Sequence, residues 1–263
     1  MDLQTDNILT EVRQRIGIIT INRPRQLNAL DVATLEQLEQ ALTTLERDPA
    51  VHVIMITGAG EKAFVAGGDI ADLNSRQGLA HYNEFAEVIH RVFRRFETSD
   101  KPTIGVINGW ALGGGVELLL TLDIRLIADE ARIGLPEISL GLFPGAGGTQ
   151  RAIRQMAPCK AKELMFTGDQ ISAQEAVALG LCNHNVPRAG LMDAALALAA
   201  RIAEKSPLVL KLLKRNLLHG AEMPLGAALA HEQAMIGLVL DSADAHEGCS
   251  AFLEKRPADF KGV

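Results

Sequence analysis

The stretch TIGVINGWALGGGVELLL, Thr103–Leu120, changes its hydrophobic period within a few residues. Thr103–Ile107 is short, apolar and preceded by Pro102, which reads as a buried strand. Asn108-Gly109 is a turn pair. Three glycines, Gly113–Gly115, then stand against an apolar run that reads as a helix starting near Gly114. One carboxylate, Glu117, sits inside that run. Glycine is a poor helix former, and an unpaired buried carboxylate is costly, so both need a reason at the head of one helix. First-turn amides have no intrahelical partner, and the helix dipole favours negative charge beside them. Glycines let a ligand approach the backbone closely. The segment therefore suits an anion, or an oxygen that becomes anionic. Taken alone, the glycines read more simply as a tight turn with close helix packing, and Glu117 as an acid complementing the dipole.

The strand-to-helix pattern extends outward in both directions. Upstream, Ile16–Ile21 (IGIITI) and Val51–Thr57 (VHVIMIT) read as buried strands. Between them Asp31 opens a helical pattern carried by Leu35, Leu38, Leu42 and Leu45. Ala63–Ile70 (AFVAGGDI) reads as a Gly-rich loop in which Asp69 caps the next element, and His81–Phe96 as an amphipathic helix. Downstream, Ile124–Ala128 is another strand, and Leu135–Gly148 (LPEISLGLFPGAGG) is turn-rich. Alternating strands and helices mark an α/β domain. After about Ala189 strand signals stop, and Leu191–Glu204, Pro207–His219, Leu225–Leu240 and Asp244–Leu253 all read as helices, with Ala194, Leu198 and Ile202 forming one apolar stripe. The expected organisation is an α/β core over residues 1–189 and a helical portion over 190–263.

Two further features carry chemistry. Gly67-Gly68 exposes backbone amides on a second segment, and two donors from separate segments are what an oxyanion hole needs. Glu137, in the turn-rich segment, is a second acid beside a glycine turn. Two carboxylates in such a place serve general acid and base work only if burial or mutual repulsion raises one of them. Read singly, Glu137 is an ordinary loop acid. A dinucleotide fold fits poorly, because GGG is not GxGxxG and comes too late for a first βαβ unit.

Composition narrows the class. The 263 residues are 48% hydrophobic, enough for a sizeable core, and the net charge of −6 is mixed along the chain. No basic block or aromatic-basic patch suggests nucleic acid. Cys159, Cys182 and Cys249 form no CxxC pair and no metal spacing with histidine, which suits free thiols in a reducing compartment. Residues 1–15 mix acids and bases without a leader pattern, and the apolar runs fall short of a membrane span. A cytoplasmic protein is expected.

Taken together, NRPRQLNAL (Asn22–Leu30), AFVAGGDI (Ala63–Ile70), KPTIGVINGWALGGGVEL (Lys101–Leu118), LPEISLGLFPGAGGTQR (Leu135–Arg151) and SAFLEKRPADFKG (Ser250–Gly262) resemble the crotonase family, the enoyl-CoA hydratase/isomerase superfamily. The resemblance spans almost the whole chain. It implies a spiral of ββα units with a helical C-terminal trimerisation region, assembled as a homotrimer or a hexamer. It implies a thioester oxygen held by the amides of Gly68 and Gly114, with Glu117 activating water, Glu137 delivering the α-proton and Gly145 helping to order the water. The coenzyme A moiety of the substrate is expected along Arg25, Leu27, Ala66, Gly68, Asp69, Ile70 and Gly114, with Lys255 and Arg256 reaching it from the C-terminal end. The implied reaction is reversible syn hydration of a trans-2-enoyl-CoA to a 3-hydroxyacyl-CoA, a hydro-lyase activity needing no metal or redox cofactor. An enoyl-CoA isomerase, a hydratase for a branched or aromatic acyl group, and a noncatalytic RNA-binding member are the alternatives. The chain departs from the family at Ala71, where some hydratases carry a cation, at Val116, often cysteine, and at Trp110, often tyrosine. Gly114→Pro is expected to harm turnover more than Gly115→Ala.

Overall fold

Parallel strands buried on both faces are continuous apolar runs, and these runs build the larger of two sheets. The computed structural model describes residues 6–263, so the reading of residues 1–15 as carrying no leader lies partly outside the described residues. The strands are β1 (Ile8–Arg13), β2 (Ile16–Ile21), β3 (Val53–Gly58), β4 (Ala63–Val65), β5 (Thr103–Ile107), β6 (Trp110–Leu112), β7 (Ile124–Ala128), β8 (Arg132–Gly134), β9 (Gln170–Ser172) and β10 (His184–Val186). The helices are α1 (Val32–Arg47), α2 (Ile70–Asn74), α3 (Glu87–Thr98), α4 (Gly114–Leu119), α5 (Gly148–Gln155), α6 (Pro158–Thr167), α7 (Ala173–Ala178), α8 (Arg188–Ala203), α9 (Pro207–Gly220), α10 (Leu225–Leu240) and α11 (Ala243–Glu254).

The six-stranded sheet runs β1-β2-β3-β5-β7-β10 and the four-stranded sheet β4-β6-β8-β9. Only β1–β2 and β8–β9 are antiparallel. Each turn of the chain places one strand in the large sheet, the next in the small one, then a helix: β3-β4-α2, β5-β6-α4, β7-β8-α5. That is a spiral of ββα units. The core between its layers is filled by residues such as Ile19, Ile21, Leu35, Leu42, Phe64, Phe93 and Phe96, all fully buried.

Several sequence expectations need correction. Ala63–Ile70 is not one loop: Ala63–Val65 forms β4, pairing with β6, and Ile70 already belongs to α2. The helix expected from His81 opens with a π-helical stretch over His81–Ala86 before α3 begins. The stripe of α8 that is fully buried is Leu191, Ala195, Ala199 and Ala203, one position on from Ala194, Leu198 and Ile202, which are half-buried. Alanine lets α8 lie close against β2, β3, β5 and β7. By contrast, α9 and α10 bury no residue fully. They pack on each other as a hairpin, and α9 reaches the core through Lys214–Asp123 at 2.7 Å and Arg215–Asp100 at 2.7 Å. Leu217, Leu225 and Leu238 on this hairpin are 64%, 74% and 60% exposed. No helix among the described residues is long and apolar enough to cross a membrane.

Candidate active site

The three glycines divide the work that both sequence readings assigned to them. Gly113, the N-cap of α4, adopts φ +51° and ψ −119°, a conformation other residues rarely take. A Cβ there would also lie 2.9 Å from Glu137 Oε1. Gly114 faces the other glycine loop, since its Cβ position is 3.4 Å from Gly68 N. Gly115 carries the packing: a methyl there would run into the Val65 carbonyl oxygen of β4 and lie 3.0 Å from Val65 Cβ. Close packing and an amide without a protein acceptor are therefore both present, on adjacent residues.

Gly115→Ala therefore carries a packing cost of its own, apart from any effect on turnover. The methyl meets backbone, which cannot rotate aside, so α4 must shift off β4. Overpacking of this kind costs about 1–3 kcal/mol. Gly115→Ala should lower the thermal midpoint by several degrees. An unchanged midpoint would show that α4 and β4 are not in such close contact.

The second loop turns at Gly67, with φ +118°, and Gly68 bridges to Leu30. Leu30 N donates to Gly67 O and Asp69 N donates to Leu30 O, which fixes the loop on either side of Gly68. Neither the Gly68 amide nor the Gly114 amide donates to a protein acceptor among the described residues. Two free donors thus border one space at adjacent exits of β4 and β6.

The two carboxylates flank the same glycine-headed helix, Glu117 from within α4 and Glu137 against Gly113 at its N-cap. Glu117 is buried one turn into α4, and its Oε1 accepts from Ala146 N and Gly148 N, both at 2.7 Å. Burial pushes its carboxyl up to about 7, with the nearby Glu137 charge adding to the rise, while the two amides and Arg151 work against it. Glu137 sits in the 3-10 turn Pro136–Leu140 and is half-buried, and its Oε2 has no hydrogen-bond partner. Burial raises its carboxyl as well. Gly145 is exposed in the turn just before Ala146, and its carbonyl accepts from His90 Nε2 at 2.8 Å.

The expected coenzyme A residues fall into two groups. Ala66, Gly68, Asp69 and Ile70 belong to the glycine loop and the start of α2, whereas Arg25 and Leu27 lie in the 3-10 turn Pro24–Gln26 and at its C-cap. Arg25 and Leu27 line a cleft of about 500 Å³ with Gly60, Lys62 and Ala63. Leu27 O accepts from Ala66 N at 3.1 Å, and Arg25 and Ile70 are exposed. The Asp69 carboxylate is already engaged: it caps α2 through Ala71 N and Asp72 N and pairs with Arg23 at 3.1 Å. Partial burial opposes its charge, but the Asp72 amide, Arg23 and the Ala71 amide outweigh this and hold the carboxyl below its ordinary range. Lys255 lies elsewhere, as the exposed left-handed residue closing α11, and no hydrogen bond or ion pair joins it to these residues. Arg256 beside it is taken up by Glu247 and Glu254. Among the described residues no group of three or more His, Cys, Asp or Glu side chains could hold a metal ion.

Two asparagines that sequence reading did not single out hold this cleft together. Asn28 Nδ2 donates to Ala59 O and Ala63 O, and its Oδ1 accepts from Arg23 N. Asn108 Nδ2 donates to Gly58 O at 2.9 Å and Gly60 O at 2.7 Å. Each ties the turn between β3 and β4 to a distant segment, a role with no local signal beyond the two residues' presence in turns.

A spiral whose glycine-headed helix opens on two carboxylates is the crotonase class of α/β fold. A solved enoyl-CoA hydratase from Bacillus anthracis superposes with a TM-score of 0.95 at 38% identity, covering 98% of this chain and 100% of that one. The sequence profile described as "Enoyl-CoA hydratase/isomerase" matches residues 11–263. A crotonyl-CoA hydratase of Syntrophomonas wolfei is 40% identical over 97% of this chain and 98% of its own length. A 2,3-dehydroadipyl-CoA hydratase of Escherichia coli is 39% identical over 97% and 98%. The chain belongs to the enoyl-CoA hydratase/isomerase family.

Proposed function

We propose that this protein is an enoyl-CoA hydratase, adding water reversibly and syn across the 2,3 double bond of a trans-2-enoyl-CoA to give a 3-hydroxyacyl-CoA. The observation that carries the reading is buried Glu117 and half-buried Glu137, both carboxyls pushed up by burial, beside two unpartnered glycine amides. The thioester oxygen lies between Gly68 N and Gly114 N. Glu117 uses Oε1 on the Ala146 and Gly148 amides, which leaves Oε2 for water. Ionised Glu117 takes a proton from the water as its oxygen bonds to C3. The π electrons move toward the thioester oxygen, where the two amides stabilise the enolate-like charge. Protonated Glu137 then delivers its proton to C2 from the same face. A proton passed from Glu117 to Glu137 restores the starting pair, which titrates as one coupled unit. Gly145 helps to order the water through its place beside the Glu117 turn.

Coenzyme A enters as part of the substrate, and this chemistry needs neither metal nor redox cofactor. Arg25 and the cleft beside it receive the coenzyme A moiety. Of the expected core, residues 1–189, the described part from residue 6 onward forms the catalytic spiral. Three unpaired cysteines, Cys159, Cys182 and Cys249, support a reducing, cytoplasmic setting. The relatives act on different acyl groups at nearly equal identity, so the acyl preference is a matter for experiment. A panel of enoyl-CoA thioesters of increasing chain length, followed by loss of absorbance of the conjugated thioester, tests the reading. No loss with any member would overturn it. Movement of the double bond without hydration would favour the isomerase. RNA retention at physiological salt without turnover would favour the noncatalytic alternative, which the net charge of −6 opposes.

Residues 190–263 serve assembly as a homotrimer or a hexamer of two trimers, with Lys255 brought near a neighbour's coenzyme site. The unburied apolar face of the α9–α10 hairpin supports this. Sedimentation equilibrium at micromolar concentration should give a mass of three or six chains of 28.2 kDa. A fully active species of single-chain mass would reject the assembly.

A further inference from the structure

Glu117 is held where the turn Gly145–Gly147 runs into the first residue of α5, Gly148. The segment Gly145–Gly148 presents two amides to one carboxylate oxygen, and something must hold those amides in place. Two side chains reach the turn directly, Arg151 and His90, and Glu97 with Arg94 braces the first. Arg151, one turn into α5, donates Nη1 to Ala146 O at 3.2 Å, on the residue whose own amide binds Glu117. The same guanidinium grips Glu97 of α3 with both arms, Nε to Oε1 and Nη2 to Oε2, each at 3.0 Å. Glu97 is steadied in turn by Arg94 at 2.7 Å. His90, two turns earlier on α3, meets the Gly145 carbonyl at 2.8 Å. Gly147, with φ +103°, leaves room for this arrangement, because a Cβ at 147 would collide with the Arg151 guanidinium.

We infer that Arg151, anchored by Glu97, is a positioning residue for hydration: it fixes the Ala146 peptide so that Glu117 stays aligned on the water. The inference rests on the reading of Glu117 as a proton-transfer group. A bidentate Arg–carboxylate pair sets a plane as well as a distance, so it suits this task better than a point charge. Arg151 and Glu97 are largely buried, at 14% and 17% side-chain exposure, which limits solvent screening of the pair. The charged groups around Glu117 are Glu137 from the 3-10 turn, Arg151 from α5, and Glu97 with Arg94 from α3. His90 faces the same turn. The positive charge of Arg151 favours ionised Glu117, a small effect beside burial, which acts the other way.

The test compares Arg151→Gln, Arg151→Lys and Glu97→Gln with Glu117→Gln, using crotonyl-CoA as the probe. Displacement of a reacting group by about 1 Å costs on the order of 10²-fold. All three positioning variants should lower kcat about ten- to a hundred-fold with KM little changed. In Arg151→Gln the acidic limb of the kcat profile should move to higher pH, because a charge favouring ionised Glu117 is gone. Arg151→Lys keeps that charge, so its limb should stay near the wild-type position while kcat remains low. Glu97→Gln supplies the answer if Arg151→Gln does not fold. Wild-type kcat in Arg151→Lys and Glu97→Gln, with Glu117→Gln inactive, would overturn the inference. So would a loss of thermal stability in Arg151→Gln that leaves both kcat and the limb unmoved. Wild-type turnover in Glu117→Gln would instead overturn the proposed function itself.

Discussion

Glu117→Gln lowers the rate of hydration by about 10²–10⁴-fold, the range that one positioned proton-transfer group contributes. Glu137→Gln does the same. The amide keeps the shape and, at 117, an oxygen for the Ala146 and Gly148 N–H groups. Acyl-CoA binding should therefore survive in both variants. Steady-state turnover of crotonyl-CoA with binding measured separately checks this, and near wild-type kcat in both would show that neither carboxylate moves the proton. A stability effect accompanies it. Glu117 has its folded carboxyl raised from 4.5 to about 7. Below about pH 4.5 it is protonated whether the chain is folded or not. Between there and about pH 7 only the unfolded chain ionises, so this group's contribution to stability falls as pH rises. Above pH 7 the whole penalty remains, on the order of 3 kcal/mol. Glu117→Gln has no charge to bury, so it should be more thermostable than wild type at pH 8 and similar at pH 4. Melting curves at the two values decide it, and equal midpoints at pH 8 would mean Glu117 is not ionised against its surroundings.

Gly114→Pro lowers turnover by about 10²–10³-fold while leaving a folded protein. Proline is accepted at the first position of a helix, and Gly113 before it already has a non-helical conformation. What is lost is the N–H facing the thioester oxygen, and loss of one such donor costs about 10²–10³-fold in kcat. Gly68→Ala is the contrasting change. Its methyl would meet only the ends of Leu73 at 3.3 Å and Phe85 at 3.6 Å, side chains that can adjust, and the amide is kept. It should retain most activity. A folded Gly114→Pro enzyme with normal kcat would remove this amide from the mechanism.

Much of this arrangement was legible in the sequence, and the reason differs by element. β2, β5 and β7 lie where Ile16–Ile21, Thr103–Ile107 and Ile124–Ala128 were read, because a strand buried on both faces needs an unbroken apolar run. The second sheet was not legible. β4, β6, β8 and β9 are three residues each, too short to show a period of two. β1 was missed because it is an edge strand in which only Ile8 is buried. The glycines and both glutamates stood out as misplaced residues, glycine in a helix and acids beside apolar runs. Their supports did not. Asn108 reaches 50 residues back to Gly58, and Arg151 54 residues back to Glu97. Contacts over such distances are made by the fold and leave no mark in local spacing.

The parallel pairing of β4 with β6 has a metrical consequence. Val65 pairs with Ala111, so Gly68 and Gly114 each follow a paired residue by three positions, and the two amides leave neighbouring strands at matching places in the sequence. Neighbouring strands lie about 4.8 Å apart. An oxygen about 2.9 Å from each of two nitrogens at that separation sees them at an angle of roughly 110°. That is close to the angle between the two lone pairs of a carbonyl oxygen. If the two amides bind the thioester oxygen, as proposed, the spacing of neighbouring strands rather than any side chain sets their separation.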